Sequence, residues 1–163
     1  NTLVGGHAYT ADQLFATLDP TMRRLDIPDF GSVILSDTVG FIAGLPHALV
    51  EAFMSTLEEV STANLLLHVS DDSNPDAREQ EAEVERVLED IGAIDIPRLA
   101  VRNKIDISGR NPGLISSNGF VRNGVRVCAR NGVGMAQFYK AYRVCLGGIV
   151  SCAHCVYRQV RVA

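Results

Sequence analysis

No run of about 18 apolar residues occurs in this 163-residue chain, which excludes a membrane-spanning helix. The most apolar stretch, Val144 to Val156, is shorter and is interrupted by Ser151 and His154. The opening residues, NTLVGGHAYT, have neither a basic n-region nor an apolar h-region, so no secretory signal is expected from them. Cysteine is sparse, and its four copies (Cys128, Cys145, Cys152 and Cys155) gather towards one end, which is not the framework of a disulfide scaffold. A reducing, cytoplasmic setting fits best. Lysine is scarcer still, with Lys104 and Lys140 alone. Acidic residues nearly vanish in the second part: residues 96–163 hold 1 acid and 11 bases, whereas residues 1–95 hold 18 acids and 4 bases. Two readings stay open, one in which opposite ends of a fold neutralise each other and one in which a basic surface faces a polyanion such as RNA. No aromatic-interleaved basic motif favours the second, and no DNA partner is expected.

What remains suits one domain with a real core. Apolar residues make up 47%, charged residues 21%, and the net charge is −4, which excludes disorder and low-complexity repeats. Asn1 to Val4 before Gly5-Gly6 read as the last turn of a helix, and residues 7–20 as a polar loop. Met22 to Ile27 and Ser32 to Leu35, separated by Pro28-Asp29-Phe30-Gly31, predict a β-hairpin. Leu49, Val50, Phe53 and Leu57 recur at helical spacing over Pro46 to Val60. Leu65-Leu66-Leu67-His68-Val69 is a continuous apolar run, the pattern of a strand buried on both faces of a parallel sheet. Ser73-Asn74-Pro75 opens a helix with Val84, Val87, Leu88 and Ile91 as its buried stripe and Gly92 as its stop. Its glutamates (Glu79, Glu81, Glu83, Glu85 and Glu89) read as a solvated face. Leu99 to Val101 predicts a further strand ending at Asn103, and residues 109–123 a long loop or weak hairpin. Val125 to Cys128 predicts the last strand, with Gly132-Val133-Gly134 before a final helix. Strands alternating with helices argue an α/β sheet.

Polar clusters collect at the strand ends, where α/β sheets bind ligands. In chain order they are Phe15-Ala16-Thr17-Leu18-Asp19, Asp37-Thr38-Val39-Gly40, Asn103-Lys104-Ile105-Asp106 and Cys128-Ala129-Arg130. Each is weak alone; their order makes them specific. A carboxylate such as Asp106 can accept from both N1–H and the exocyclic amino group of guanine, donors that adenine does not offer there. Asn103 and Lys104 would brace that loop and cover the ring. Asp37 can hold a Mg²⁺-bound water, Gly40 lets a backbone N–H approach a γ-phosphate, and the Thr17 hydroxyl can reach the same metal.

From Tyr9 to about Gly134 the chain resembles the GTP-binding domain of HflX-type GTPases. Ala11 to Thr21 with Arg23-Arg24 resembles that family's switch I. Asp37-Thr38-Val39-Gly40-Phe41-Ile42 with Leu45-Pro46-His47 resembles its switch II, and Asn103 to Asp106 its guanine-specificity loop. The resemblance implies a P-loop GTPase-like, mostly parallel sheet with flanking helices. It also implies GTP and GDP as ligands, Mg²⁺ as cofactor through Thr17 and Asp37, GTP hydrolysis, and the large ribosomal subunit as partner. Phe41 stands where Ras-like enzymes place a water-orienting Gln, so slow hydrolysis without a partner is expected.

Two departures qualify the resemblance. The family's Gly-x-x-x-x-Gly-Lys-Ser/Thr loop is expected just before Asn1, and neither lysine follows a glycine. The sheet is therefore expected to be incomplete, lacking the first strand and P-loop, with a partial G domain over 1–135. In the family that strand lies between the one ending at Asp37 and the one from Leu65 to Val69. The gap must stay open, close by direct pairing, or recruit the tail. The second departure is the atypical tail, 136–163, with Cys128 where the family has Ser and Gly147-Gly148 breaking any helix. A zinc site at Cys145, Cys152, His154 and Cys155 is disfavoured by its spacing. His47 and His68 read as ordinary structural residues. Asp71-Asp72 with Lys104 is similar to a phosphoacceptor receiver site, but the acidic pair after the first strand and the Thr before the Lys strand are not in place.

Overall fold

The computed structural model describes residues 21–27, 31–37, 60–116, 123–146 and 154–159. Within them lie strands β1 (Thr21–Ile27), β2 (Gly31–Asp37), β3 (Leu65–Asp71), β4 (Arg98–Asn103), β5 (Gly113–Ser116), β6 (Asn123–Arg126) and β7 (His154–Gln159). The helices are α1 (Ala77–Asp90), the one-turn α2 (Ile105–Ser108) and α3 (Met135–Leu146). The seven strands form one sheet in the order β1-β2-β7-β3-β4-β6-β5. β1 and β2 are the expected antiparallel hairpin, with Ile27 opposite Gly31. β3, β4 and β6 run parallel, and β5 returns antiparallel to β6. The loop or weak hairpin expected over 109–123 contributes one strand, β5, whose antiparallel partner is β6 and lies at 123–126.

The central slot is filled from the tail. β7 runs parallel to β2, with Ile34 opposite His154 and Asp37 opposite Tyr157. It also runs parallel to β3, with Leu65 opposite Cys155 and Val69 opposite Gln159. Of the three ways to treat the gap, the fold uses the third. A parallel slot with a neighbour on each side leaves backbone N–H and C=O groups wanting partners on both edges, and any extended segment can supply them.

β3 shows why its apolar run is continuous: Leu65 through Ser70 are all buried. Alternation splits them between two cores. Leu65, Leu67 and Val69 join Leu25, Ile27, Val33, Leu35, Leu99, Val101 and Val125 beneath α3, which contributes Phe138, Ala141, Tyr142 and Leu146. Phe138 and Tyr142 stack one turn apart, ring centroids 5.6 Å apart at 17°. Leu66 faces the other way, packing with Val60, Ala63, Val84, Leu88 and Ala93 around α1. Gly92 (φ 69°) follows α1, as expected.

Two expectations are corrected. Glu81 and Glu85 do not belong to a solvated face: Glu81 Oε1 lies 2.6 Å from Arg102 Nη2, and Glu85 Oε1 lies 3.9 Å from Arg98 Nη1. Both arginines sit on β4 with an even spacing, which puts them on the face that α1 covers. Burial lifts the Glu81 carboxyl above the usual carboxylate range, with Arg102 opposing the rise. The strand expected at Val125 to Cys128 is Asn123–Arg126, because its pairing with β4 and β5 begins at Asn123, and it is not the last, since β7 follows it. The readings over residues 1–20 and most of the Pro46 to Val60 helix lie outside the described residues.

Candidate nucleotide-binding site

Every parallel strand points its carboxyl end at the same edge of the sheet, so Asp37, Asp71, Asn103 and Arg126 end their strands along one rim. Beyond β4 the chain makes a tight structure. Asn103 closes the strand, and Lys104 takes the left-handed conformation (φ 64°, ψ 36°) that turns the backbone into α2. Ile105 anchors the turn: it is buried, and its N–H donates to Val127 O at 3.4 Å. Asp106, the next residue, is exposed in the first turn of α2. An apolar anchor beside a solvated carboxylate is what holds Asp106 at the surface.

The loop after β6 is tied to this one. Val127 N–H donates to Arg102 O at 2.8 Å, extending the ladder beyond the strands. Ala129 N–H donates to Asn103 Oδ1 at 2.9 Å. Cys128 is buried, its N–H donating to Val133 O at 2.8 Å, while Arg130 is exposed. Gly134 (φ 85°) ends the loop where a side chain has no room: a Cβ there would collide with Arg126 O and lie 3.0 Å from Val127 Cα. The residues from Asn103 to Asp106 and from Cys128 to Arg130 are therefore one joined constellation.

Two carboxylates beside it, Asp71 and Asp72, entered the sequence reading only as a receiver-like pair with Lys104 and not as part of the nucleotide site. Asp71 Oδ2 accepts from Lys104 Nζ at 2.6 Å, and Asp71 Oδ1 accepts from Ser73 N–H and Oγ–H. Partial burial pushes Asp71 up, but the Lys104 and Ser73 hydrogen bonds outweigh it and hold the carboxyl below its ordinary value. Asp72 accepts from Ser108 Oγ at 2.7 Å and Arg110 Nη1 at 3.2 Å. A signal was present in the sequence: two acids at the end of a strand buried on both faces must find donors.

Asp37 is the final residue of β2, opposite Thr21 and Tyr157 in register. Phe15, Ala16, Thr17, Leu18, Asp19, Thr38, Val39 and Gly40 lie outside the described residues. No group of three or more His, Cys, Asp or Glu side chains able to hold a metal occurs among the described residues. None of their helices is long and apolar enough to cross a membrane.

The fold is that of a GTP-binding α/β domain. A GTP-binding protein from Sulfolobus solfataricus, solved in complex with GDP, superposes with a TM-score of 0.65 over 80% of this chain and 45% of its own, at 21% identity. The sequence model of the 50S ribosome-binding GTPase family matches residues 1–104. GTPase HflX of Caldanaerobacter subterraneus subsp. tengcongensis is 51% identical over 141 residues, 86% of this chain and 32% of that protein. GTPase HflX of Escherichia coli is 45% identical over 152 residues, 93% of this chain and 36% of that protein. The chain belongs to the 50S ribosome-binding GTPase family, as a member of its HflX type. It spans about a third of the length of these curated relatives.

Proposed function

We propose that this chain is the guanine-recognising part of a GTPase that hydrolyses GTP to GDP and acts on the large ribosomal subunit in the cytoplasm. The observation that carries the reading is the joined base loop. Asn103 ties the two loops together through Ala129, and Asp106 is left exposed with its carboxylate uncommitted to another described residue. Ionised, Asp106 accepts two N–H donors of guanine at once, and adenine would present a lone pair where one donor is needed. In this reading the Lys104 stem covers the ring, and Ala129 and Arg130 close the far side.

Thr17 and Asp37 carry the hard oxygen donors that would hold Mg²⁺, Asp37 by way of a water. When bound, the ion neutralises the charge on the transferred phosphoryl group. Phe41 offers no hydrogen bond to an attacking water, so the ribosomal partner supplies that orientation.

A second reading, a domain that keeps base and switch loops without holding nucleotide tightly, is favoured by one observation. The slot that the family gives to the strand leading into its phosphate loop holds β7, whose sequence is HCVYRQ. Calorimetry separates the two. Millimolar or weaker GTP binding supports the second, since about −4 kcal/mol is what a few base hydrogen bonds supply, and a micromolar constant supports the first. Asp106→Asn is expected to shift preference from guanine towards xanthine, and unchanged preference removes Asp106 from the base site.

A further inference from the structure

The base loop begins on a backbone that its residue does not favour. Lys104 is the one non-glycine residue with positive φ among the described residues. Such a conformation persists only where the surroundings hold it. Two adjacent carboxylates do so from opposite sides of Asp106. Asp71 grips Lys104, two residues before it, through the 2.6 Å ion pair, and is itself fixed by Ser73. Asp72, with a side chain 1% exposed, grips Ser108, two residues after it, at 2.7 Å. Arg110 and Arg126 neutralise Asp72, at 3.2 and 3.9 Å. Asp106 thus sits at the middle of a segment held at both ends by the end of β3.

We propose that Asp71 and Asp72 are positioning residues that set the base loop before any nucleotide arrives, so that Asp106 meets guanine already oriented. In its functional half the inference rests on reading Asn103 to Asp106 as a guanine loop. The loop's ordering is then complete before binding, and the base contact loses no affinity to it. A carboxylate pair that merely joined β3 to β4 and β6 would leave base preference untouched when loosened.

The test uses the full chain with Asp71→Asn and Ser108→Ala. Asp72 stays in place, because removing it would strand Arg126. Amide exchange is read at Ile107, Ser108 and Gly109, whose N–H groups donate to Lys104 O (2.9 and 3.3 Å) and Ile105 O (3.0 Å). Exchange there is expected to quicken about two- to fivefold in each variant, as for loss of a partly exposed pair, with Val84 to Leu88 of α1 unchanged. Titration with millimolar GDP and ADP, followed at the same amides, is expected to show the GDP preference reduced about threefold or more. Unchanged exchange in both variants overturns the proposal, and so does faster exchange with an unchanged GDP preference. Wild-type protein that does not prefer GDP to ADP at these amides refutes the guanine reading. The exchange rates then decide by themselves whether the carboxylates set the loop.

Discussion

Gly134 is where a single methyl group should disturb both the fold and the base loop. It lies at φ 85°, and a Cβ built on it collides with Arg126 O, stands 3.0 Å from Val127 Cα and reaches Pro112 Cβ at 3.3 Å. Two of these neighbours are backbone and cannot rotate away. Left-handed backbone costs a non-glycine residue about 1–2 kcal/mol, and forcing an extra carbon into packed backbone adds about 1–3 kcal/mol. Gly134→Ala is therefore expected to lose about 2–5 kcal/mol, a large share of the 5–15 kcal/mol typical of a domain. Gly132 supplies the control: its φ is 78°, but no atom lies within 4 Å of the built Cβ. Gly132→Ala should lose about 1–2 kcal/mol from strain alone. Urea unfolding of both variants measures the difference, which is the collision. Equal midpoints for the two would refute the reasoning, as would a Gly134→Ala protein of wild-type stability. Because Val127 O accepts from Ile105 N–H, a folded Gly134→Ala protein should also show shifted amide signals at Ile105 and Asp106.

Three further outcomes are expected. Asp71 has a folded-state carboxyl held below its ordinary value of 3.8, so its stabilisation is present above that value and lost as pH falls through the folded-state one; acid titration of Asp71→Asn should lack that limb, and matching wild-type and variant curves would contradict it. Glu81 is shifted the other way, above 4.5, so the folded state binds more protons between the two values and stability falls there as pH rises; Glu81→Gln should flatten this limb in the same unfolding series, and an unaltered slope would show that Arg102 cancels the cost of burial. Val156 pairs with Ser36 on one side and Leu66 on the other, so Val156→Pro should cost about 3 kcal/mol or more by removing a central donor, and an unmoved urea midpoint would mean that β7 does not occupy the slot.

The elements that sequence made legible were those whose burial is written in one segment. Leu65 to Val69 could only be a strand covered on both faces, and Pro28 to Gly31 between two apolar runs could only be a turn. Asn103 and Asp106 stood out in the sequence as one polar cluster at a strand end, and the tie from Asn103 to Ala129 joins that cluster to Cys128 to Arg130. What resisted was anything decided by a distant partner. Glu81 and Glu85 look solvated until Arg98 and Arg102 are placed under α1. Asp71 and Asp72 gain their meaning from Lys104 and Ser108, more than 30 positions later. β7 was least legible of all, because HCVYRQ carries His, Arg and Gln where a central parallel strand ordinarily reads as Val, Ile and Leu. The vacancy beside β2 and β3 named the tail as one of three possible outcomes, and nothing in β7's own residues chose among them.

β7 also sets the order in which the molecule can be built. Among the described residues it is the last strand in sequence yet lies inside the sheet, between β2 and β3, and its partners lie far upstream: Ile34 meets His154 and Leu65 meets Cys155. The β1–β2 hairpin and the β3-β4-β6-β5 group can each assemble from nearby residues, and among the described strands β7 is the one that joins them. During synthesis at about 5–20 residues per second, some 120 residues separate the two partners, so the inner edge of β2 waits roughly 6–24 s for its mate. Over that interval both inner edges are open templates for another chain's strand. Nascent chains released or stalled before residue 154 should therefore be the form of this protein that aggregates and calls on chaperones, whatever the stability of the finished sheet.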